Sequence, residues 1–369
     1  MRRLDAAFRT RLRRNWKKDK TRKKTEKAAS SRRTPKEKMP ETYFISGAQG
    51  CIGSWIVKAL IERGDGAVVF DRSEDMRRIT AIMEPGDVER VRFIAGDITD
   101  VSAVRSALEA SGARRVIHLA GLQVPTCRTD PVAGAFVNVI GTLNVFESAK
   151  EVGLERVVYA SSAAVFGAAD ADTLVDETEP CEPTTHYGVF KRANEGNARV
   201  YFLDDGLNSV GLRPLTVYGV NRDTGLTSDP TKAMKAAVLG VPFHIRFSGA
   251  TDFQYVRDTA AAFVACADRA PAGAHVFNLH GETVEVARIA KVINENSGRD
   301  LVSFSGPPIP IAPALNDAAI RRLIGDLPST PLELGIAETM RRFARLHETG
   351  RLDVSDIEAE LSVLQERTV

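Results

Sequence analysis

Tyr187 and Lys191 lie four residues apart in the segment YGVFK, within a stretch whose pattern predicts a helix. Side chains with this spacing share one face of a helix, about one turn apart. A tyrosine phenol has an ordinary pKa of about 10, which is too high for an efficient base at neutral pH. A neighbouring ammonium favours the phenolate and lowers that pKa. The pair therefore predicts removal of a proton from a hydroxyl group, although the same spacing also occurs in ordinary surface contacts.

Two serines precede this pair in the chain. The apolar run 156–160 predicts a buried strand, and Ser161 and Ser162 follow it directly. A serine hydroxyl at the end of that strand would hold the oxygen of a substrate, while Lys191 would also reach the ribose of a cofactor. A strand that ends in two serines makes alcohol oxidation a stronger prediction than the tyrosine and lysine alone.

A glycine-rich turn indicates what the cofactor is. Gly47, Gly50 and Gly53 lie between a short apolar run, 43–45, and a helical pattern, 52–60. Glycines let the backbone approach a pyrophosphate, and the N-terminus of a helix offers free N–H groups and a partial positive charge. The spacing G-x-x-G-x-x-G differs from the commoner G-x-G-x-x-G, and glycine turns of this kind also occur without a ligand. The strand, turn and helix together predict a dinucleotide site.

An acidic residue points to NAD rather than NADP. Asp71 ends the strand pattern 67–71 and follows Gly53 by 18 residues. A carboxylate there accepts hydrogen bonds from the hydroxyls of the adenosine ribose and repels a 2′-phosphate. Arg72, the next residue, weakens this inference because an arginine accommodates that phosphate. The alternative is that Asp71 only ends the strand in a turn.

These residues need a scaffold, and the chain has a regular one. Strand patterns at 43–45, 67–71, 91–97, 116–119 and 156–160 alternate with helix patterns in a chain of 369 residues, 43% of them hydrophobic. This alternation predicts a parallel sheet covered by helices on both faces. The apolar content is enough for one large domain or two smaller ones.

The first 40 residues differ from the remainder in charge. They hold 17 Lys/Arg and 4 Asp/Glu, a net of +13, whereas the remaining residues hold 33 basic and 44 acidic residues, a net of −11. Such a segment lacks the apolar content for a core. We predict a dispensable basic tail, disordered or loosely helical. The alternatives are a tail that binds nucleic acid or an anionic surface, a targeting peptide, or residues upstream of a true start at Met39.

The cysteines and the hydropathy pattern bear on the cell compartment. Four cysteines lie far apart without C-x-x-C spacing, so neither a zinc site nor a disulfide framework is predicted, nor any other metal site. The chain has no run of about 18 apolar residues and no secretory signal at the N-terminus. A cytoplasmic protein without a membrane span is predicted.

Six motifs in order carry a resemblance to a known family: GAQGCIG, VIHLAG, NVIGTLN, VVYASSAAVFG, YGVFK and LRPLTVYG. The segment 43–343 resembles the extended short-chain dehydrogenase/reductases, in the NAD-dependent epimerase/dehydratase branch. The resemblance implies a Rossmann-type, doubly wound parallel α/β sheet with a small C-terminal substrate-binding cap. The expected organisation is a tail at 1–40, the NAD-binding domain at 41–220, mainly the cap at 221–350 with segments returning to the core, and a C-terminal helix at 351–369. A homodimer is a further expectation from the family.

The resemblance also assigns roles to individual residues. It implies that Ser162 positions the substrate hydroxyl, Tyr187 is the base, and Lys191 modulates the tyrosine pKa and anchors the cofactor. The expected cofactor contacts are Gly47, Gly50, Cys51, Ile52, Gly53, Asp71, Asp97, Ile98, Ala120, Gly121, Tyr187 and Lys191. The expected substrate contacts are Gln123, Ser162, Ala163, Tyr218, Arg222 and Lys232.

Departures from the family pattern narrow the reaction. Ala163 and Ala164 stand where dehydratases carry an acidic pair, so dehydration is not expected. Thr216 and Thr251 replace an asparagine and an arginine that contact the diphosphate of nucleotide-sugars, although Arg222 or Arg246 could substitute.

We therefore expect an NAD-dependent enzyme that removes hydride from a secondary carbinol of a sugar, sugar acid or similar hydroxylated molecule. Arg222 and Lys232 suggest an anionic group on that molecule, although basic loop residues are usually only solvated. A (nucleotide-)sugar epimerase is the alternative. A non-catalytic nucleotide-sensing or nucleic-acid-associated protein is a more remote one.

Overall fold

A computed structural model of the protein describes residues 40–168 and 173–359. The basic tail predicted at 1–40 lies outside the described residues except for Pro40. Of the C-terminal helix predicted at 351–369, the described part contains a short 3₁₀ turn at Ser355–Ile357, and residues 360–369 lie outside.

The strands are numbered in chain order. They are β1 Thr42–Ser46, β2 Gly66–Asp71, β3 Val91–Ala95, β4 Arg115–His118, β5 Arg156–Ala160, β6 Leu174–Val175, β7 Asn208–Arg213, β8 Thr216–Tyr218, β9 Phe243–Ile245, β10 Ala250–Tyr255, β11 Ala274–Asn278, β12 Glu282–Glu285, β13 Val302–Phe304 and β14 Ala314–Leu315. Seven of them form one parallel sheet in the order β3-β2-β1-β4-β5-β7-β11. The predicted parallel α/β sheet is confirmed.

The helices are numbered in the same way. They are α1 Cys51–Glu62, α2 Arg77–Ile82, α3 Pro85–Val88, α4 Val101–Ser111, α5 Val124–Thr129, α6 Pro131–Ala135, α7 Gly141–Val152, α8 His186–Asp205, α9 Asp229–Val238, α10 Val256–Arg269, α11 Val286–Ser297, α12 Ala318–Ile324 and α13 Leu332–Glu348. A π-helical turn, Phe136–Ile140, joins α6 to α7, and a 3₁₀ turn, Ala163–Val165, follows β5.

Side chains alternate across the main sheet, as its pleat requires. Tyr43 and Ile45 of β1 enter the core on the face covered by α1 and α10, whereas Phe44 enters the core on the opposite face with α4 and α7. Because both faces are covered, the strands are apolar mainly in their central positions, and most of their polar residues lie at the strand ends.

The order of the sheet determines where a ligand can bind. The chain runs from β1 outward to β3 and then returns to β4 on the other side of β1. In open parallel sheets, ligands bind beyond the carboxyl ends of the strands where the order reverses. The glycine turn follows β1, so it lies at this point.

Segments after residue 215 build a second, smaller layer. The sheet β8-β10-β12, the strand pair β9-β13 and the helices α9, α11 and α13 pack together there. From the same range, β11 adds a strand to the main sheet and α10 packs on α1.

Among the described residues, one continuous helical segment, Pro131–Val152, which comprises α6, the π-helical turn and α7, has the length and apolar composition of a membrane span. Its buried side chains include Val145, Phe146 and Ala149, which pack into the core beneath the main sheet. These core contacts account for the apolar residues on its buried face.

Candidate active site

A cavity of about 430 Å³ lies beyond the carboxyl ends of the central strands. It extends from the glycine turn after β1 to the beginning of α8, and it contains the predicted catalytic residues and the predicted cofactor residues together. Its lining includes Gly47, Gly50, Cys51, Ile52, Gly53, Asp71, Asp97, Ile98, Ala120, Gly121, Ser162, Tyr187 and Lys191.

The glycine turn fits a pyrophosphate. Gly47 has a φ of +70°, and a Cβ atom there would lie 2.5 Å from the backbone nitrogen of Ala120. A Cβ at Gly53 would lie 2.6 Å from the Cα of Ala48. Gly50 precedes α1 and offers no side-chain cap, so the first N–H groups of the helix stay available to an anion.

Two acidic side chains occupy the adenosine end of the cavity. Asp71 ends β2, and its carboxylate accepts hydrogen bonds from the backbone N–H groups of Gln49 (3.4 Å) and Arg72 (2.9 Å). Asp97 accepts hydrogen bonds from the backbone and hydroxyl of Thr99, which lower the pKa of the Asp97 carboxyl. The rim of the cavity therefore carries carboxylates that suit ribose hydroxyls.

The beginning of α8 places Tyr187 opposite Ser162. The Thr185 hydroxyl accepts a hydrogen bond from the Gly188 N–H at 3.1 Å, which caps the helix. Gly188 lets the helix approach closely, because a Cβ there would lie 2.3 Å from the carbonyl oxygen of Ala164. This contact places the tyrosine side chain in the same cavity as the Ser162 hydroxyl.

Burial affects the acidity of both ionisable catalytic groups. Burial raises the pKa of Tyr187 above its ordinary value, and Ser162 and the positive charge of Arg222 offset this only in part, so the ligand-free protein does not have the lowered tyrosine pKa that the Tyr187–Lys191 spacing predicted. Burial lowers the pKa of Lys191 to about 8. The Lys191 ammonium donates a hydrogen bond to the Ala160 carbonyl at 2.8 Å and lies 5.5 Å from the centre of the Tyr187 ring.

A buried ion pair holds the serine strand against α8. The Glu195 carboxylate accepts two hydrogen bonds of 2.7 Å from Arg213 and one of 2.6 Å from the Ser161 hydroxyl. The exposed fractions of the Glu195 and Arg213 side chains are 1% and 3%. Removing one partner of such a pair leaves a buried, unpaired charge and lowers the unfolding free energy by about 3–5 kcal/mol.

Asn138 is a structural part of the site to which the sequence analysis assigned no role. It lies in the π-helical turn, where its side chain donates to the Leu122 carbonyl at 3.0 Å and accepts from the Leu122 N–H at 2.9 Å. Its own carbonyl accepts a hydrogen bond from Asn194 at 2.8 Å. These bonds fix the loop after β4 beside Lys191. The motif NVIGTLN was the available signal for it.

The predicted substrate residues separate into two groups. Gln123, Ser162 and Arg222 line the cavity. Ala163 packs in a small core with Val165 and Phe166, Tyr218 is stacked on Phe253 at a centroid distance of 3.9 Å, and Lys232 on α9 lies outside the cavity lining. The lining also includes Thr227, which lies in the region expected to face substrate, and Ala164, Leu215, Leu226 and Ile311, to which no substrate role was assigned.

Thr216 and Thr251 bond to one another. Their hydroxyl oxygens are 2.6 Å apart between the neighbouring strands β8 and β10, and both side chains are buried. Arg246, the other suggested diphosphate contact, donates to both carboxylate oxygens of Asp229.

The lowered pKa of Lys191 makes stability depend on pH. Below about pH 8 the buried lysine is charged in the folded protein, and the cost of burying its ammonium lowers the unfolding free energy by the full amount. As the pH rises from about 8 to the ordinary lysine pKa of about 10.5, the folded protein loses this proton before the unfolded chain does, so the unfolding free energy increases. We expect the unfolding free energy of the ligand-free protein to rise by about 2 kcal/mol relative to Lys191→Met between about pH 7 and pH 9.5. Chemical denaturation at several pH values measures this. Lys291→Met, at an exposed lysine, is the matched control, and an equal pH dependence in both variants would contradict the prediction.

Comparison with known proteins agrees with this geometry. Residues 43–280 match the NAD dependent epimerase/dehydratase family. UDP-glucuronate 4-epimerase 4 of Arabidopsis thaliana is 26% identical, with 81% of this chain and 74% of the relative covered. UDP-glucose 4-epimerase of Erwinia amylovora is 28% identical, with 70% and 83% covered.

Solved structures agree as well. UDP-glucose 4-epimerase of Thermus thermophilus in complex with NAD is 26% identical with a TM-score of 0.72, covering 82% of this chain and 98% of its own. MoeE5 in complex with UDP-glucuronic acid and NAD is 27% identical with a TM-score of 0.71, covering 82% and 99%. This chain belongs to the NAD dependent epimerase/dehydratase family, among the enzymes of the extended short-chain dehydrogenase/reductase class.

Proposed function

We propose that this protein oxidises a secondary alcohol of a sugar, sugar acid or similar hydroxylated molecule with NAD and releases NADH. The observation that carries the proposal is one cavity that holds both the glycine turn and the Ser162, Tyr187 and Lys191 side chains. Bound NAD would supply the acceptor for the hydride that leaves the carbinol carbon.

The protein's own residues orient the alcohol and remove its proton. The Ser162 hydroxyl orients the carbinol oxygen, and the Tyr187 phenolate removes the hydroxyl proton as hydride leaves the carbon. Lys191, held by the Ala160 carbonyl at 2.8 Å, is the nearby ammonium that anchors the cofactor ribose and favours the phenolate once the cavity is filled. The alcohol thus loses one proton and one hydride and becomes a ketone.

Net oxidation is favoured over epimerisation by the buried Thr216–Thr251 bond. An epimerase must retain its reduced cofactor while the keto intermediate turns over within the site. In this protein the two hydroxyls at the positions of the diphosphate contacts bond to one another, and this leaves little to tether a nucleotide-sugar there. The names of the relatives favour the second candidate, a UDP-sugar 4-epimerase that oxidises its substrate transiently.

NADH release distinguishes the two candidates. We expect a panel of free sugars, sugar acids and nucleotide-sugars, incubated with excess NAD, to yield NADH absorbance with a non-nucleotide member. Tyr187→Phe keeps the ring but removes the proton acceptor, so turnover should fall by roughly 10²–10⁴ while NAD binding persists. Inverted nucleotide-sugar without NADH accumulation would favour the epimerase, and near-full activity of Tyr187→Phe would exclude the assigned base.

The carboxylate of Asp71 should select the cofactor. We expect NAD to bind at least about tenfold more tightly than NADP, a difference of about 1.4 kcal/mol, because the carboxylate repels a 2′-phosphate. Asp71→Ala should reduce the difference between the NAD and NADP affinities measured by calorimetric titration. Asp75→Ala removes a carboxylate from the following loop, outside the cavity lining, and should leave that difference unchanged. Equal affinities of the unaltered protein for both cofactors would contradict the prediction.

A homodimer in the cytoplasm completes the proposal. Exposed apolar side chains recur one turn apart at Val132, Phe136 and Ile140, and others lie at Val200 and Leu203 of α8. A second copy of the chain would cover such a surface. All four cysteines are free thiols, which suits a reducing compartment. We propose no nucleic-acid partner for the protein apart from a contact of its basic segment 1–40.

Sedimentation analysis checks the dimer. We expect twice the mass of the chain, and Leu203→Glu should yield monomers because it places a charge in the apolar interface. Leu334→Glu changes a similarly exposed leucine on α13 and should leave the dimer intact. A monomeric unaltered protein would refute the proposal.

A further inference from the structure

Arg222 is a positive charge in the catalytic cavity without an acidic partner among the described residues. Its side chain is half-buried and lines the cavity, where its charge lowers the pKa of Tyr187. The neighbouring carboxylate, Asp223, is already engaged by Arg78 through hydrogen bonds of 2.7–3.1 Å. A half-buried guanidinium without a counter-ion is costly, so an anionic ligand would stabilise it.

The backbone before Arg222 is held in an uncommon conformation. Asn221 has a φ of +79° and is the one non-glycine residue with a positive φ among the described residues. Its side-chain amide donates to the Ser54 hydroxyl at 2.9 Å and to the Arg78 carbonyl at 2.8 Å. These two bonds stabilise the strained residue and orient the chain that carries Arg222. A strained backbone conformation of this kind persists only where surrounding contacts hold it in place, and such residues often occur at binding sites.

Neutral side chains then orient the guanidinium. Its Nη2 donates to the Thr227 hydroxyl at 3.1 Å and its Nη1 to the Gln123 side-chain oxygen at 3.5 Å, while Nε is buried without a partner. Gly225 leaves room for this arrangement, because a Cβ there would lie 2.1 Å from the Gln123 oxygen. Two of the five N–H groups of the guanidinium are thus used to orient it, and the other three have no acceptor among the described residues.

We propose that Arg222 binds a carboxylate of the substrate, which makes the substrate a sugar acid or a related polyhydroxy acid. The inference rests on the proposed oxidation and deepens it. A guanidinium pairs with a planar carboxylate through two parallel hydrogen bonds. Arg222 lines the same cavity as Tyr187 and is near enough for its charge to act on the phenol, so the acid group would be held while the hydroxyl faces the base.

The pyrophosphate of NAD is the other anion in reach, because Arg222 also acts electrostatically on Cys51 in the glycine turn. The N-terminus of α1, which begins directly after Gly50, already offers that pyrophosphate free N–H groups. The substrate carboxylate is therefore the assignment we make, and NAD affinity is a separate arm of the test.

The test measures binding by calorimetry to the NAD-saturated Tyr187→Phe protein, which separates recognition from turnover. The probes are matched pairs, D-gluconate with D-glucitol and D-glucuronate with D-glucose. We expect at least one acid to bind tenfold or more tightly than its neutral partner. Adding Arg222→Gln should abolish the preference for the acid over its neutral partner, and Arg222→Lys should retain part of it. The control Lys232→Gln, which removes a charge outside the cavity lining, should leave the preference unchanged.

Three outcomes decide the inference separately from the proposed function. Equal binding of acid and neutral partner, or a preference that survives Arg222→Gln, would overturn the carboxylate assignment even if the protein oxidises neutral sugars. A tenfold loss of NAD affinity in Arg222→Gln alone, with the acid preference retained, would assign the arginine to the cofactor. An Arg222-dependent acid preference without NADH formation from any acid would support the inference and refute the oxidation.

Discussion

The geometry of the proposed catalytic site depends on a buried pair of opposite charges, Glu195 and Arg213. Glu195 belongs to the helix that carries Tyr187 and Lys191, Arg213 ends β7, and the Ser161 hydroxyl adds the end of β5 to the same carboxylate. Because the pair is almost completely buried, its two parallel hydrogen bonds permit little displacement of helix against sheet. Such a pair need not stabilise the fold relative to apolar residues, but breaking it is costly. Its effect is to specify one position for the catalytic side chains.

The cavity, in contrast to this ion pair, contains positive charges without acidic partners in the described part of the chain. Lys191 and Arg222 line it without forming an ion pair among the described residues, and burial lowers the pKa of Lys191 to about 8. Burial of a charge without a counter-ion costs free energy, which a bound ligand can recover. Carboxylates and hydroxyls of a ligand are suitable partners for both groups. The ligand-free protein therefore carries a cost that cofactor and substrate would offset.

The threonines between β8 and β10 show how one fold can serve different substrates. Thr216 and Thr251 bond to one another where relatives of this chain are expected to contact a diphosphate, and Tyr218 stacks on Phe253 beside them. The strand pairing is unaffected, because hydroxyls that satisfy one another are tolerated in a core. The proposed change of substrate would thus need no change in the fold.

Local pattern by itself determined the parallel sheet, the glycine turn and the Tyr187–Lys191 pair, because strand periodicity, glycine spacing and helix geometry are properties of short segments. The tertiary structure alone decided which side chains share the cavity. Arg222 enters it because Asn221 turns the backbone, whereas Lys232 lies outside the lining and Tyr218 is buried in the core. The pairs Glu195–Arg213, Asn138–Leu122 and Thr216–Thr251 likewise join residues that lie far apart in the chain. Such contacts depend on how elements pack, which no local pattern records.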